Sequence, residues 1–261
     1  MTASFLERIT ASRRADAARR RSEGALPLTQ AAARAAGAPR DFLGALARPG
    51  LSIIAEIKRA SPSAGDIAPA ARPGDLARAY ESGGAAAISV LTEPEYFAGS
   101  LEDLREARAA CSVPVLRKDF ICDALQIWEA RAADADAVLL IVAALTQTEL
   151  VALSDLAADL GMAALVEVHS ASEVERATLA GARIIGINSR DLATLAVDPE
   201  IVAKLRPLIP EGHLVVGESG VSTRRDAETL QAAGVDAVLV GEAVMRAPDP
   251  SSKIRELLGR D

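Results

Sequence analysis

The feature that most constrains the fold of this chain is a repeated alternation of short apolar runs and helical patterns. From residue 51 onward, eight runs are apolar at nearly every position instead of at every second one, which is typical of strands buried on both faces of a parallel sheet. The runs are Leu51–Ile57, Ala86–Leu91, Val113–Leu116, Ala137–Val142, Ala163–Val168, Ile184–Ile187, Leu214–Gly217 and Ala237–Val240.

Segments with helical periodicity separate these runs, several of them beginning with a capping residue such as Ser100 or Ser172. We predict helices over Asp75–Ser82, Ser100–Ala110, Asp123–Ala133, Thr148–Leu160, Ser172–Leu179, Pro199–Arg206, Thr223–Ala233 and Glu242–Leu258. Eight strand–helix units predict an α/β fold of the (β/α)8 TIM-barrel type. An open doubly wound sheet is the alternative, but it normally carries a GxGxxG turn after its first strand, and IAEIKRASPS has none.

The first 48 residues lack this alternation of strand and helix patterns. We predict that they form a helical extension packed on a barrel of residues 49–261, as one domain overall. Residues 1–22 contain six arginines and only two acidic residues, with an apolar stripe at Phe5, Leu6 and Ile9. An Arg-rich, acid-poor start is also typical of a transit peptide. We favour a solvated helix that caps the barrel, one version of which places its basic face over an anionic ligand.

Composition argues against several classes of function. A net charge of -7 and an aromatic content of 3% disfavour nucleic-acid binding, which needs a positive surface and stacking side chains. The longest apolar run, 137–145, is far shorter than the roughly 20 residues of a membrane span. Two cysteines, Cys111 and Cys122, and two histidines predict neither a disulfide framework nor a metal site. We expect buried thiols in a reducing, cytoplasmic compartment.

Charged and amide side chains follow most of the apolar runs. They are Glu56, Lys58, Lys118, Glu167, His169, Asn188, Arg190 and Glu218. The C-terminal ends of barrel strands carry the active site in barrel enzymes, and residues two apart on a strand share a face. We therefore predict that these groups converge on one cavity. Salt bridges that only close the top of the barrel are the structural alternative.

A phosphate site is predicted after the last two strands. Ser219 and Gly220 follow the seventh run, and Gly241 with Glu242 opens a helix after the eighth. Glycine lets backbone N–H groups approach an anion, and a helix N-terminus adds the positive end of its dipole. The carboxylate of Glu242 would repel phosphate there unless it points away.

At these residues the chain resembles the indole-3-glycerol phosphate synthases, a family of tryptophan biosynthesis. The matching segments occur in chain order, and the combination of the first and the fifth is specific to the family. They are IAEIKRASPS (Ile54–Ser63), EYFAGSLEDL (Glu95–Leu104), PVLRKDFI (Pro114–Ile121), LVEVH (Leu165–His169), IIGINSRDL (Ile184–Leu192), GESGV (Gly217–Val221) and VLVGEAVM (Val238–Met245).

The resemblance implies a carboxy-lyase that acts on 1-(2-carboxyphenylamino)-1-deoxyribulose 5-phosphate with no cofactor and no metal. Ring closure, decarboxylation and dehydration then yield indole-3-glycerol phosphate. By position, Lys118 resembles the general acid that protonates the carbonyl oxygen, and Lys58 and Glu167 would assist the later loss of the hydroxyl and a proton. Glu56 and Asn188 would hold the lysines and the sugar hydroxyls.

The same resemblance implies the residues that bind the substrate. Arg190 is similar to the arginine that receives the anthranilate carboxylate. The remaining positions are Ser61, Gly220, Gly241 and the backbone at Glu242 for phosphate, Phe97, Phe120 and Leu139 for the aromatic ring, and Glu218, Ser219 and Leu239 as further substrate contacts. The chain departs from the family at Ala64, where a lysine is frequent, so one loop contact to the substrate is missing or supplied elsewhere.

Two other functions remain open at this stage. Barrel lysines also act as nucleophiles, which makes a Schiff-base aldolase the second enzyme hypothesis. The other alternative is a barrel that binds a sugar phosphate and does not catalyse a reaction. For its partners we expect a small phosphosugar, neither nucleic acid nor membrane, and a monomer, with a weak dimer as the alternative.

Overall fold

The computed structural model describes residues 3–192 and 194–260, and its centre is a closed barrel of parallel strands. The strands are β1 (Ser52–Ile57), β2 (Ala87–Leu91), β3 (Val115–Lys118), β4 (Ala137–Ile141), β5 (Ala163–Val168), β6 (Ile184–Asn188), β7 (Leu214–Glu218) and β8 (Ala237–Val240). Each strand pairs with its neighbours in the chain, and β8 closes the barrel against β1. The predicted (β/α)8 fold is confirmed. Met1 and Thr2 of the predicted extension and Asp261 of the predicted barrel, which together form the single domain expected, lie outside the described residues.

Helices precede the barrel and follow its strands. They are α1 (Phe5–Ser22), α2 (Ala25–Ala35), α3 (Phe42–Leu46), α4 (Pro73–Gly83), α5 (Pro94–Phe97), α6 (Leu101–Ala110), α7 (Ala124–Ala132), α8 (Gln147–Asp159), α9 (Ala171–Leu179), α10 (Ile201–Leu205), α11 (Arg224–Ala232), α12 (Glu242–Met245) and α13 (Pro250–Leu258). Side-chain caps mark the starts of several helices, as where Thr146 accepts the N–H of Glu149 at the start of α8. None of the described helices is long and apolar enough to cross a membrane.

The last predicted helix, 242–258, is wrong as a single element, because the chain forms α12 and α13 there with a break between them. Pro248 and Pro250 cause the break, since proline has no N–H to donate and fixes φ. The Asp249 side chain accepts the N–H of Ser252 at 3.1 Å and starts α13, with Pro250 in its first turn, where proline is favoured.

The core has two layers. One apolar cluster fills the space between the barrel and its helices and includes the outward-facing side chains of the strands, such as Val166 and Val238. The other fills the barrel with inward-facing side chains, among them Leu116, Leu165 and Leu239. Because side chains alternate along a strand, residues two positions further along, including Lys118 and Glu167, point to the same interior.

The helices before the barrel close its interior from both ends. Phe42 and Leu46 of α3 join the interior cluster near the start of β1, where the Ser52 hydroxyl donates to the Leu46 carbonyl at 3.1 Å. Phe5 and Ile9 of α1 join the same cluster. The arginines of α1 bind carboxylates of the barrel, in the pairs Arg13 with Asp119, Arg14 with Glu149, Arg20 with Glu129 and Arg21 with Asp123. Its basic face is therefore occupied by protein carboxylates.

Candidate active site

A cavity of about 440 Å³ opens at the C-terminal ends of the barrel strands. His169 was predicted to converge on this cavity and does not line it. The other residues predicted for the site do line it: Glu56, Lys58, Ser61, Phe97, Lys118, Phe120, Leu139, Glu167, Asn188, Arg190, Glu218, Ser219, Gly220, Leu239, Gly241 and Glu242. These residues lie far apart in sequence, and closure of the barrel brings them together. Their individual roles stay predictions.

Three charged side chains form the floor of the cavity. The Nζ of Lys118, the last residue of β3, lies 3.2 Å from Oε2 of Glu167 on β5 and 3.3 Å from Oε2 of Glu218 on β7. The two carboxylate side chains are each 1% exposed and the lysine is 14% exposed. Gly186 makes the room for this cluster, because a Cβ there would collide with Oε1 of Glu218. Burial without partners would cost each charge several kcal/mol, so the three groups depend on one another.

The pKa values of the cluster follow from its geometry. Burial raises the pKa of Glu218 to about 8, and the charge of Glu167 adds to this rise, against the opposing effect of Lys118. Burial also acts to raise the pKa of Glu167, but Lys118 and His169 hold it below its ordinary value. Burial lowers the pKa of Lys118, and the facing carboxylates raise it by more, to above its ordinary value. The cluster therefore places an ammonium beside two carboxyl groups whose pKa values are shifted in opposite directions.

A second lysine lies at the end of β1. The Nζ of Lys58 lies 2.9 Å from Oε1 of Glu56. Gly241, after β8, packs against this pair, since a Cβ on it would lie 2.5 Å from that Glu56 oxygen and 3.2 Å from the lysine Nζ. The backbone of the last β–α turn is thus in direct contact with the ion pair.

Asn188 connects the floor to the loop after β6. Its Oδ1 accepts hydrogen bonds from the Ser219 hydroxyl at 2.8 Å and from the Arg190 backbone N–H at 3.0 Å. These bonds orient the Asn188 amide, which hydrogen-bonds to Glu167. The Arg190 guanidinium donates to the Leu195 carbonyl at 2.9 Å and lines the cavity. Asn188 and Ser219 are therefore held in place by neighbouring strand ends.

The predicted phosphate region has backbone suited to an anion. Ser219 and Gly220 both have positive φ, 65° and 80°, so consecutive N–H groups turn in an arrangement that can hold an anion. The Glu242 carboxylate accepts from Arg246 Nε at 2.9 Å. The guanidinium of Arg246 thus balances the negative charge of Glu242, which would otherwise repel a phosphate at this position.

Aromatic side chains form one wall of the cavity. The rings of Phe97 and Phe120 lie 6.1 Å apart at 35°, and Phe5 meets Phe120 edge-on at 6.2 Å. Leu139 and Leu239 line the cavity from the barrel interior. This apolar side accommodates a flat ring, and the charged floor lies next to it.

Sequence reasoning missed several residues that line the cavity, among them Phe5 and Asp119. Asp119 is fully buried next to Lys118 and accepts from Arg13 at 2.9 and 3.1 Å, from Arg117 at 2.8 Å and from Thr92 at 2.7 Å. Its position directly after Lys118 at the end of β3 could have indicated from the sequence that it belongs to the site. Phe5 offered none, since nothing local to α1 indicates where that helix packs.

Within residues 3–192 and 194–260, no group of three or more His, Cys, Asp or Glu side chains is placed to hold a metal ion. Cys111 and Cys122 are buried free thiols, as predicted. The chemistry that the described side chains can perform is proton transfer and electrostatic stabilisation by lysines and carboxylates next to an apolar wall.

Two solved structures resemble the fold of this chain. The N-acetylmannosamine-6-phosphate 2-epimerase from Clostridium perfringens has a TM-score of 0.61 at 16% identity, over 79% of this chain and 92% of that chain. The thiamine phosphate pyrophosphorylase from Pyrococcus furiosus has a TM-score of 0.58 at 21% identity, over 79% of this chain and 93% of that chain. At this level of identity the likeness shows the barrel fold alone.

Sequence relatives are far closer. A family model described as indole-3-glycerol phosphate synthase matches residues 6–257. The chain is 51% identical over 256 residues to the indole-3-glycerol phosphate synthase of Mycobacterium avium, covering 98% of this chain and 94% of that protein. It is also 51% identical over 245 residues to the synthase of Mycobacteroides abscessus, with coverages of 94% and 90%. With matches of this extent, the chain belongs to the indole-3-glycerol phosphate synthase family.

Proposed function

We propose that the chain converts 1-(2-carboxyphenylamino)-1-deoxyribulose 5-phosphate into indole-3-glycerol phosphate, carbon dioxide and water, a step of tryptophan biosynthesis. The observation that carries this proposal is the Lys118 ammonium, held between the Glu167 and Glu218 carboxyl groups on the floor of the cavity. Ring closure onto a ketone needs a proton donor beside the keto oxygen, and an ammonium kept charged by carboxylates is such a donor.

Substrate binding uses the two sides of the cavity. The aromatic ring packs on the apolar wall of Phe97, Phe120 and Leu139, and Arg190 receives the carboxylate of the ring. The phosphate binds at the other side, to the Ser61 hydroxyl and to backbone N–H groups at Gly220, Gly241 and Glu242. This orientation leaves the keto group over the lysines, which converts the first bond-forming step into a reaction between groups already in place.

Ring closure is the first chemical step. The aromatic carbon that bears the carboxylate attacks the keto carbon, and the π electrons of the C=O bond move to its oxygen. The Lys118 ammonium stabilises the negative charge that develops on this oxygen and then donates its proton. The product of the step is a hydroxyl group on a new five-membered ring.

Loss of carbon dioxide and water completes the reaction. The C–C bond to the carboxylate breaks and its electron pair restores the aromatic ring. The hydroxyl group then leaves as water with a proton from Lys58, and Glu167 takes the proton from the neighbouring carbon. Glu56, 2.9 Å from Lys58 Nζ, holds that lysine in place, and Asn188 holds the sugar hydroxyls.

The Schiff-base alternative requires a lysine that is a free amine at neutral pH. The carboxylates around Lys118 raise its pKa, which favours the ammonium and an acid role. Borohydride added during turnover distinguishes the two, because a Schiff base gives a covalent lysine adduct detectable by mass spectrometry and the proposed mechanism gives none. Calorimetric binding of the substrate without product formation would instead indicate a non-catalytic barrel.

The test of the function is a fluorescence assay for indole-3-glycerol phosphate, with purified protein, the carboxyphenylamino sugar phosphate and a chelator in place of added metal. We expect turnover that is unaffected by the chelator. A Glu167→Gln protein is the control for contaminating activity, since it should lose turnover. Equal product formation by both proteins would contradict the proposal.

We further infer that the enzyme acts as a monomer in the cytoplasm. The buried free thiols Cys111 and Cys122 suit a reducing compartment, and the relatives compared come from bacteria. Sedimentation equilibrium measures the mass of the particle in solution, and a dimer at assay concentrations would contradict the monomer.

A further inference from the structure

Two carboxyl groups on the cavity floor are equivalent in their relation to Lys118, and the structure must distinguish them in another way. The Lys118 Nζ is 3.2 Å from Glu167 and 3.3 Å from Glu218, and both glutamate side chains are 1% exposed. Only one proton acceptor is needed in the proposed reaction, and a protonated carboxyl group cannot serve. Their other neighbours therefore decide which of the two is ionised.

One of those neighbours is an imidazole. His169 Nε2 lies 3.4 Å from Oε1 of Glu167, the oxygen that faces away from Lys118. Both of these atoms are buried. On the other side of the ring, Nδ1 lies 3.5 Å from Oε2 of Glu173. His169 does not line the cavity as the structure describes it, and its contact with the cavity floor is through Glu167.

The local sequence explains why the ring is held there. Glu167 and His169 are two residues apart on β5 and share a face. Helix α9 begins directly after them, with Ser170 accepting the N–H of Glu173 at 3.3 Å. Glu173 in turn accepts the backbone N–H of His169 at 2.8 Å. The first turn of α9 thus fixes both the strand end and the carboxylate beside the imidazole.

The charges around the ring favour its protonated form. Glu167 and Glu218 face it from the strands and Glu173 faces it from α9. The Arg176 side chain, also on α9, points instead to the carbonyl oxygens of Val142 and Leu145. Burial lowers the pKa of His169, but the hydrogen bond to Glu173 and the facing carboxylates raise it above its ordinary value.

We propose that His169, held by Glu173, is a positioning residue that keeps Glu167 the ionised member of the carboxyl pair and leaves the proton on Glu218. A neutral Asn188 amide adds a hydrogen bond to Glu167 but brings no charge. An imidazolium with an N–H toward each carboxylate orients Glu167 and stabilises its negative charge. The inference rests on the proposed function, in which Glu167 is the proton acceptor.

The pH dependence of turnover tests this role. In a His169→Gln protein, Glu167 loses a cationic neighbour, which is expected to move the acid limb of the kcat profile to higher pH by about one unit. The ratio of wild-type to variant kcat is then about tenfold on the acid side. It approaches one at higher pH, where Glu167 is ionised in both proteins, and KM changes little throughout. Glu173→Gln is expected to shift the limb in the same direction by less.

His213→Gln is the matched control, because His213 is half-buried away from the cavity and its ring contacts the Pro210 carbonyl at 3.1 Å; its profile should match the wild type. A kcat loss in His169→Gln that is uniform over pH, or no loss, would overturn the inference. If His169→Gln fails to fold, the pH profile of Glu173→Gln is measured instead, and a uniform loss of kcat or no loss in that variant would overturn the inference. Inactive wild-type protein would instead overturn the proposed function, so the two failures are distinguishable.

Discussion

At the scale of single residues, the floor of the cavity consists of buried ionisable groups that stabilise one another. Lys118, Glu167 and Glu218 come from three strands. The Lys118 ammonium lies 3.2 Å from the Glu167 carboxyl group and 3.3 Å from that of Glu218. Each would be costly to bury alone. Substitution of any one of them consequently changes the protonation of the other two as well as the reaction.

We predict that Lys118→Ala lowers kcat by roughly 10²–10⁴-fold, the usual effect of losing a general acid. The measurement is the fluorescence assay for indole-3-glycerol phosphate under saturating substrate. Lys204→Ala is the control, since Lys204 is exposed and pairs with Asp198 and Glu200. Near-normal turnover in Lys118→Ala would remove this residue from the acid role.

A second residue-scale prediction concerns Glu218 and stability. A carboxyl group whose pKa rises from 4.5 to about 8 on folding binds more protons in the folded state between those values, so its contribution to stability declines as the pH rises through that window. Glu218→Gln mimics the protonated form and removes this decline. We expect the Tm of the variant, relative to wild type, to increase with pH across the window, measured by thermal denaturation at a series of pH values. A constant difference would show that Glu218 is ionised in the folded protein.

At the scale of elements, strand ends and helix starts place the site. Gly186 on β6 and Gly241 after β8 leave the space that Glu218 and the Glu56–Lys58 pair fill. The apolar runs predicted the strands well, because each strand is buried on both faces and its pattern is local. The prediction of one last helix was wrong because its apolar pattern continues across Pro248 and Pro250, and proline in a helix interior removes a backbone hydrogen bond.

The docking of α1 yields an element-scale prediction. Arg13 donates two hydrogen bonds to buried Asp119, so Arg13→Ala leaves that carboxylate with Arg117 as its remaining cation. We expect the free energy of unfolding in urea to fall by about 2 kcal/mol. Arg19 on the same helix is 59% exposed and pairs with Glu23. Arg19→Ala should cost about 0.5 kcal/mol or less, and equal losses in the two variants would contradict this account of docking.

At the scale of the whole molecule, the site exists only when the barrel is closed. Its lining residues come from all eight strands and from the loops that follow them, so the unfolded chain presents no equivalent of it. A ligand that contacts both sides of the cavity therefore binds the folded state alone, and its binding adds to the free energy of unfolding.

The corresponding prediction uses the product. Indole-3-glycerol phosphate at about 100 times its Kd should raise the free energy of unfolding by about 2.7 kcal/mol, seen as an increase in Tm. Glycerol phosphate lacks the ring that packs on Phe97 and Phe120, and at the same concentration it should produce a smaller increase. Equal shifts with both compounds would mean that the apolar wall does not bind the ring.

Local burial patterns and short motifs within single strand–loop units were enough to predict the barrel, the charged strand ends and the family. The resemblance also predicted sixteen of the residues that line the cavity. The closed fold was needed to show that Glu218 shares the ammonium of Lys118, that Arg13 of α1 pairs with Asp119 and that Phe5 of α1 lines the cavity. Those contacts depend on strand register and on helix docking. Both bring together residues that are far apart in the chain, and neither produces a local pattern in the sequence.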